Sequence, residues 1–356
     1  MSDLIGLTAS LVDIPSVSHD EKRITDFLES LLDPVPWLET VRVGNNLVSR
    51  TNLGRPQRLL LAGHTDTVPP NGNEKAVIDG DVVWGVGSVD MKAGLAVMVD
   101  LATTVAEPAV DVTYIFYQCE ELAGSADNGM EQLFLQRRDL LGAHAVVLTE
   151  PTGGCVEAGC QGILTMEAGV EGLAAHTARG WLGRNAIHRL RPLLARLEEY
   201  QNRHVVIDGC EYIEGMQAVH VSGGRSHNVV PDKATLIVNH RFAPDRTFGA
   251  AEAQIREVLG EVDYLHLVDR LPAAPPALLH PLFTRLLDIT GEPPRAKLGW
   301  TDVARFAAHG FPATNFGPGD PAFAHKPDER VTRGELEDAS RVLRTLIEEG
   351  APVPGL

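Results

Sequence analysis

Residues 112–122, VTYIFYQCEEL, join an uncharged, largely apolar run to two adjacent carboxylates. The run VTYIFY predicts a strand that is buried on both faces. Successive side chains of a strand point to opposite faces, so Glu120 and Glu121 are expected to diverge. Two acids at the end of a buried strand are costly unless a cation lies nearby. The stretch therefore predicts a buried strand whose end faces a positively charged centre.

The residues around this stretch repeat the alternation of strand and helix. RLLLAG (58–63) and AHAVVLT (143–149) are further apolar strands, and MKAGLAVMVDLATTVA (91–106) is a helix whose small residues allow close packing. Buried apolar strands that alternate with helices are typical of an α/β layer. We therefore expect this part of the chain to form an α/β sheet domain.

The pattern changes near Gly159. A strand (ILTMEAGVEG), a helix over residues 185–203, two strands, a second helix and a last strand follow in the order β-α-β-β-α-β. That order is the split βαβ arrangement of a ferredoxin-like unit. The sequence therefore predicts a second, smaller α+β unit in the middle of the chain.

The smaller unit is expected to interrupt the larger one. We expect residues 1–160 and 274–356 to form one discontinuous domain, with residues 161–273 inserted into it. The proline-rich stretch DRLPAAPPALLHP returns the chain, and Thr332 with Glu335 predicts a capping box before the last helix.

Composition narrows the class of protein. The formal net charge of −17 argues against a nucleic-acid partner. No apolar run is long enough for a membrane helix, and the N-terminal MSDLIGLTASLVDIPS lacks the basic region of a secretory signal. The cysteines form no CxxC pair, so we expect reduced, buried thiols in a cytoplasmic protein. They are Cys119, Cys155, Cys160 and Cys210.

Metal-ligand residue types follow several predicted strands of the larger domain. In open α/β sheets, ligands bind at the carboxyl ends of the strands, so these residues are expected to meet at one edge. Zinc and similar divalent ions bind imidazole and carboxylate groups. Asp66 follows His64 by two residues and is expected to orient its ring. The candidate residues are His64, Asp66, Asp90, Glu120, Glu121, Glu150 and His325.

Five motifs, GHTDTVPP, WGVGSVDMKAG, EEL, TEPT and AHKPDE, resemble the co-catalytic zinc aminoacylase and carboxypeptidase family. They span residues 64–329 in the family's order, so the resemblance covers essentially the whole chain. It implies an α/β fold class, with a zinc-exopeptidase-like catalytic domain whose mixed sheet is flanked by helices. It also implies that the ferredoxin-like α+β insertion serves as a lid or as the interface of a homodimer.

The resemblance also assigns roles to the candidate ligands. It implies two Zn²⁺ per subunit, for which Co²⁺ or Mn²⁺ could substitute. His64 and Glu150 would bind one ion, Glu121 and His325 the other, and Asp90 would bridge them. A metal-bridged hydroxide would attack a substrate amide, with Glu120 as its general base. Four carboxylates balance the charge of two dications, so loss of the metal should destabilise the protein.

Residues of the insertion complete the expected site. By resemblance, His176 reaches the active site of the partner subunit and stabilises the oxyanion, while Asn228 and Arg241 hold a carboxylate of the substrate. Arg179 is a further substrate-binding candidate, with a surface charge as the alternative. Because the protein is strongly acidic, arginine side chains would be needed to bind a small anionic N-acyl amino acid.

Residues 297–329, KLGWTDVARFAAHGFPATNFGPGDPAFAHKPDE, resemble the succinyl-diaminopimelate desuccinylases, in particular an actinobacterial-like branch. This implies N-succinyl-LL-2,6-diaminopimelate as the substrate, with succinate and LL-2,6-diaminopimelate, a precursor of lysine and cell wall, as products. Gly299 and Thr301 would line the acyl side of the pocket. Trp300 stands where many relatives have a small residue, and it would narrow the pocket.

Two alternatives stay open at this point. The first is another amide hydrolase of the same family, such as an acetylornithine deacetylase, another N-acyl-amino-acid amidohydrolase or a carboxypeptidase. The second is a metal-binding regulatory or scaffold protein without catalysis. The presence of Glu120 beside five candidate ligands argues against the second alternative.

Overall fold

The computed structural model describes residues 3–122 and 126–352. The strands, numbered along the chain, are β1 Glu39–Val43, β2 Asn46–Arg50, β3 Arg58–His64, β4 Val77–Asp79, β5 Val82–Trp84, β6 Asp111–Tyr117, β7 Ala145–Leu148, β8 Glu157–Ala158, β9 Gly162–Glu171, β10 His204–Ile207, β11 Cys210–Ile213, β12 Gly215–Gly223, β13 Lys233–Phe242, β14 Tyr264–Leu271, β15 Arg295–Ala296, β16 Ala313–Asn315 and β17 Arg330–Thr332. The helices are α1 Leu4–Val12, α2 Lys22–Leu32, α3 Lys92–Thr104, α4 Gly129–Gln136, α5 Ala186–Arg189, α6 Arg191–Glu198, α7 Phe248–Leu259, α8 Pro281–Thr290, α9 Val303–Ala308 and α10 Arg333–Glu349.

An eight-stranded mixed sheet forms the larger part of the fold, in the order β1-β2-β6-β3-β7-β16-β8-β15. At its centre, β3 runs parallel to both β6 and β7. Every residue of β6 and β7 is buried, as is expected for strands covered on both faces. Because these three strands are parallel, their carboxyl ends lie at one edge of the sheet. The predicted α/β class is confirmed.

The helices cover both faces of this sheet. Helix α3 is buried over almost its whole length and contacts α1, α2 and α10. Helix α10 begins with the predicted capping box, in which the backbone N–H of Thr332 donates to Glu335 Oε2 at 2.8 Å. None of the helices within the described residues is long and apolar enough to cross a membrane.

A separate four-stranded sheet has the order β12-β13-β9-β14, and all of its neighbouring strands are antiparallel. In chain order, this arrangement is that of the split βαβ unit predicted from the sequence. Helices α6 and α7 contact its strands and contribute to a shared apolar core. The predicted long helix over residues 185–203 is in fact two short helices, and it ends at Glu198.

The hairpin of β10 and β11 was not predicted. Its two strands are antiparallel and turn at Asp208 and Gly209, which have φ values of 48° and 81°. Positive φ at both turn residues is the conformation that an Asp-Gly hairpin turn requires. The Asp-Gly pair between the apolar runs HVVI and CEYI is therefore the signal that the sequence prediction overlooked.

The chain crosses between the two sheets at two places that pair with each other. The N–H of Cys160 donates to the carbonyl of Ala274, and the N–H of Ala274 donates to the carbonyl of Cys160, both at 3.0 Å. The predicted domain boundaries at 160/161 and 273/274 fall on this pair, and the division into domains stays a prediction. Residues 1–2, 123–125 and 353–356 of the predicted larger domain lie outside the described residues.

Candidate metal centre

The parallel strands deliver most of the candidate ligands to one edge of the sheet. His64 is the last residue of β3, Glu120 and Glu121 follow the end of β6 closely, and Glu150 lies two residues beyond β7. Because the strands are in parallel register, these side chains come from neighbouring positions. The clustering that the strand-end pattern predicts is present in the structure.

Two groups of metal-ligand side chains share Asp90. His64, Asp90 and Glu150 form the first group, in which one donor atom from each residue lies within 4.8 Å of the others. Asp90, Glu121 and His325 form the second group under the same limit. His64 Nε2 lies 3.0 Å from Asp90 Oδ1, and His325 Nε2 lies 3.4 Å from Asp90 Oδ2. These pairings match the two ligand sets implied by the family resemblance.

The chemistry of the donor set fits divalent cations. Glu150 Oε1 is buried and accepts no hydrogen bond from the described residues. Burial, together with the nearby charge of Asp90, raises the pKa of Glu150 to about 7. Hydrogen bonds to Asp90 and Glu121 raise the pKa of His325 to about 10. A dication among these groups would satisfy the buried oxygen and stabilise the charged carboxylates.

Asp66 supports both the His64 ring and the turn after β6. Its carboxylate accepts the backbone N–H of Glu120 at 3.0 Å and that of Glu121 at 3.1 Å. The backbone carbonyl of Asp66 lies 3.0 Å from His64 Nδ1, and the carboxylate lies 3.4 Å from the same atom. Asp66 is therefore placed to hold His64 by its Nδ1, which leaves Nε2 facing Asp90.

The two neighbouring glutamates take different positions. Glu121 Oε1 lies 3.0 Å from His325 Nε2, inside the second ligand group. Glu120 belongs to neither group and lines the adjacent pocket. Burial raises the pKa of the Glu120 carboxyl well above its usual value, and the carboxylates of Glu150, Asp302 and Glu121 add to this rise. A half-buried carboxyl outside the ligand groups is suited to move protons.

A pocket of about 300 Å³ opens beside the two ligand groups. The predicted residues Arg241, Gly299 and Thr301 line it, as does Trp300. The Nε–H of Arg241 donates to Asn239 Oδ1 at 3.2 Å, and no carboxylate among the described residues forms an ion pair with this guanidinium. A half-buried cation without a carboxylate partner is costly, so this guanidinium is suited to pair with an anionic group in the pocket.

The remaining predicted site residues do not line the pocket beside the ligand groups. His176, Arg179 and Asn228 are exposed and are not among the residues that line this pocket. His176 Nδ1 accepts the N–H of Ala178, and the N–H of Thr177 donates to the carbonyl of Asn228 at 3.0 Å. His176 and Asn228 therefore stand on adjoining exposed segments, and neither belongs to the two ligand groups of its own chain.

Two residues of the site were missed by the sequence prediction. Glu329 is buried, and its Oε1 accepts the N–H groups of Val89 and Asp90, both at 3.0 Å. Lys297 lines the pocket, where its ammonium donates to the Pro151 carbonyl at 3.1 Å and pairs with Glu157. Both residues lie within motifs quoted for the resemblance, but neither had been assigned a contact.

Sequence comparison places the chain among known proteins. The model of the family "Peptidase family M20/M25/M40" matches residues 60–349. A Mycobacterium tuberculosis protein provisionally named succinyl-diaminopimelate desuccinylase is 48% identical over 344 residues, which are 96% of this chain and 97% of that protein. A succinyl-diaminopimelate desuccinylase of Corynebacterium glutamicum is 42% identical over 360 residues, covering 98% and 97%.

Solved structures agree in fold. An aminopeptidase PepT from Bacillus cereus superposes with a TM-score of 0.77 at 19% identity, covering 97% of both chains. A Bacillus subtilis protein described as a dinuclear metal binding peptidase from the M20 family superposes with a TM-score of 0.69 at 16% identity, again over 97% of both chains. With a family model matching most of its length and relatives above 40% identity, the chain belongs to the peptidase family M20/M25/M40.

Proposed function

We propose that the protein is a di-metal amide hydrolase that releases succinate from N-succinyl-LL-2,6-diaminopimelate and gives LL-2,6-diaminopimelate. The observation that carries the proposal is the pair of ligand groups that share Asp90 beside a pocket containing the unpaired Arg241. The names of two relatives above 40% identity support the substrate.

The ligand groups suit two metal ions. His64 and Glu150 would hold one ion, Glu121 and His325 the other, and Asp90 both. Zinc is the proposed metal, and cobalt or manganese accept the same ligands. When bound, such ions polarise an amide carbonyl and lower the pKa of water. Asp66 holds the ring of His64 so that Nε2 is free to act as a ligand.

Glu120 is the proposed general base. Its half-buried carboxyl lines the pocket beside the ligand groups and belongs to neither of them. In this position it takes a proton from the attacking water and passes it to the amine that leaves. The products are succinate and a free amine, so the reaction consumes one water and needs no other co-reactant.

The pocket would bind the acyl part of the substrate. Arg241 would donate a charge-assisted hydrogen bond to a carboxylate of the substrate, and Gly299 and Thr301 would line the acyl side. The net charge of −17 repels an anionic substrate at long range, so a local cation is needed to bind it. Arg241 is a cation of this kind that lacks a carboxylate partner among the described residues.

A homodimer would complete the site. The segments with His176 and Asn228 are exposed and adjoin each other, so a second copy of the chain could receive both in its pocket. His176 would then stabilise the oxyanion, with Asn228 and Arg179 contacting the substrate. We infer a cytoplasmic enzyme because its four cysteines are free and buried.

A substrate panel tests the function. The zinc-loaded protein is assayed with N-succinyl-LL-2,6-diaminopimelate, N-acetylornithine and simple N-acyl amino acids, and kcat/KM is compared. We expect the succinylated substrate to be preferred by at least about tenfold, because the acyl groups of the other compounds lack the terminal carboxylate that Arg241 would bind. A higher kcat/KM for either of the other classes would overturn the proposed substrate.

A further inference from the structure

Two segments of the chain cross between the sheets, the outgoing one at Cys160 and the returning one at Ala274. Trp300 lies where the pocket meets these two crossing segments. We propose that Trp300 determines the length of the acyl chain that the pocket accepts, because it joins the pocket wall to those crossing segments. The proposal rests on the proposed amide hydrolase function and adds a residue that selects the substrate.

The pocket has walls from both sheets. Ile163 on β9 and Arg241 on β13 are opposite each other in the antiparallel register of the four-stranded sheet, and both line the pocket. Gly299, Trp300 and Thr301 line it from the loop between β15 and α9. The distance from the Arg241 guanidinium to the Trp300 ring therefore depends on how the two sheets are placed relative to each other.

The loop that carries Trp300 is bonded to both crossing segments. The indole N–H of Trp300 donates to the carbonyl of Pro272 at 3.1 Å, on the returning segment. The N–H of Gln161, on the outgoing segment, donates to the carbonyl of Lys297 at 3.3 Å. A displacement of either crossing segment would therefore move this wall of the pocket.

Packing strengthens the same connection. Trp300 packs against an apolar cluster that contains Cys160 and Ala274, the two residues whose backbones pair where the chain crosses. On another side, the guanidinium of Arg305 lies 5.7 Å from the centre of the indole ring. Arg305 is itself paired with Asp302 at 2.6 Å, so the Trp300 ring has a firm support.

With Arg241 and Trp300 in the wall of one pocket, the pocket can discriminate between acyl chains of different length. If Arg241 binds the terminal carboxylate and the ligand groups surround the amide, the acyl chain must span the interval between Arg241 and the ligand groups. A ring in the wall of the same pocket restricts the room in which a longer chain could bend. Removing the ring, or releasing it from Pro272, should admit an additional methylene.

The test compares two matched tryptophans. Trp37 is also half-buried and donates its indole N–H to a backbone carbonyl, that of Ala102, at 3.0 Å, but it is not among the residues that line the pocket. Trp300→Phe, Trp300→Ala and the control Trp37→Phe are assayed with malonyl, succinyl and glutaryl amides of one amine. The quantity compared is the ratio of kcat/KM for the glutaryl amide to that for the succinyl amide.

We expect Trp300→Ala to raise this ratio by about tenfold or more, since one methylene in a fitted pocket changes discrimination by that order. Trp300→Phe keeps most of the ring, so it should raise the ratio by about threefold through the loss of the link alone. Trp37→Phe should leave the ratio unchanged. If all three variants keep the wild-type ratio, Trp300 does not select chain length.

Hydrogen exchange separates this inference from the proposed function. Trp300→Phe should speed amide exchange in peptides that contain Cys160 and Ala274, whereas Trp37→Phe should not. Equal exchange in wild type and Trp300→Phe would refute the link without reference to activity. If the wild-type protein hydrolyses none of the acyl amides, the proposed function fails, and the exchange result still decides whether Trp300 is linked to the crossing segments.

Discussion

Glu121 Oε1 lies 3.0 Å from His325 Nε2, although 204 residues separate the two in the chain. Glu120 and Glu121 both line the pocket, but Glu120 belongs to neither ligand group. The turn between β6 and the two glutamates is tight, since Cys119 has a φ of 55°. Adjacent acids in this turn can therefore serve two purposes, one as a metal ligand and the other as a base.

Removal of the metal should destabilise the protein. Buried Glu150 lies close to the half-buried Asp90 and Glu120, and dications would relieve the mutual repulsion of these carboxylates. We expect treatment with a chelator to lower Tm by several degrees. Metal at a free concentration near 100 times its Kd adds about 3 kcal/mol to the free energy of unfolding, and the chelator removes this contribution. Calorimetry with and without added zinc measures the change. An unaltered Tm would contradict a di-metal site.

Arg241→Met should weaken substrate binding. Loss of a charge-assisted hydrogen bond is worth about 1.5–3 kcal/mol, so kcat/KM for the succinylated substrate should fall by roughly 10–100-fold. Arg256→Met is a matched control, because Arg256 is an exposed arginine on α7 that pairs with Glu252. Steady-state kinetics of both variants provide the comparison. Equal losses in the two would show that Arg241 does not contact the substrate.

Complementation between subunits tests the role of His176. His176→Ala and Glu120→Gln should each be nearly inactive, because each site would lack either the oxyanion donor or the base. After unfolding and refolding together, mixed dimers should hold one site with both groups, and activity should return to roughly a quarter of the wild-type value. A mixture as inactive as its components would exclude a shared site.

His240 should make stability depend on pH. Burial lowers the pKa of this histidine below its usual 6.5, while its Nδ1 lies 3.0 Å from the Gly215 carbonyl. The unfolded chain therefore binds a proton first, and stability should decline as pH falls below about 6.5. Urea unfolding of wild type and His240→Asn should diverge below that pH. The control His266→Asn, at an exposed position, should follow wild type.

Much of the candidate metal centre could be predicted from the sequence, because the carboxyl ends of parallel strands lie at one edge of the sheet. His64, Glu120, Glu121 and Glu150 follow three apolar runs that are easy to recognise. Asp90 and His325 lie on loops, where no periodicity locates them, so their assignment required the family resemblance. Their proximity to the other ligands is a product of tertiary structure.

Other features could not be anticipated from local pattern. Glu329 accepts hydrogen bonds from the backbone N–H groups of Val89 and Asp90, which are far away in the chain. Because every residue except proline has such an N–H group, the sequence does not indicate which ones Glu329 contacts. The link from Trp300 to the Pro272 carbonyl is of the same kind. The overlooked hairpin at Asp208 and Gly209 differs, since its turn signal was present in the sequence.

The different roles of Glu120 and Glu121 are the central claim, and paired variants test it directly. Metal content and kcat are measured for Glu120→Gln and Glu121→Gln after identical zinc loading. We predict that Glu120→Gln retains two zinc ions and loses at least about 100-fold in kcat, whereas Glu121→Gln loses affinity for one ion. Full turnover by Glu120→Gln, or loss of metal from it equal to that of Glu121→Gln, would contradict this account.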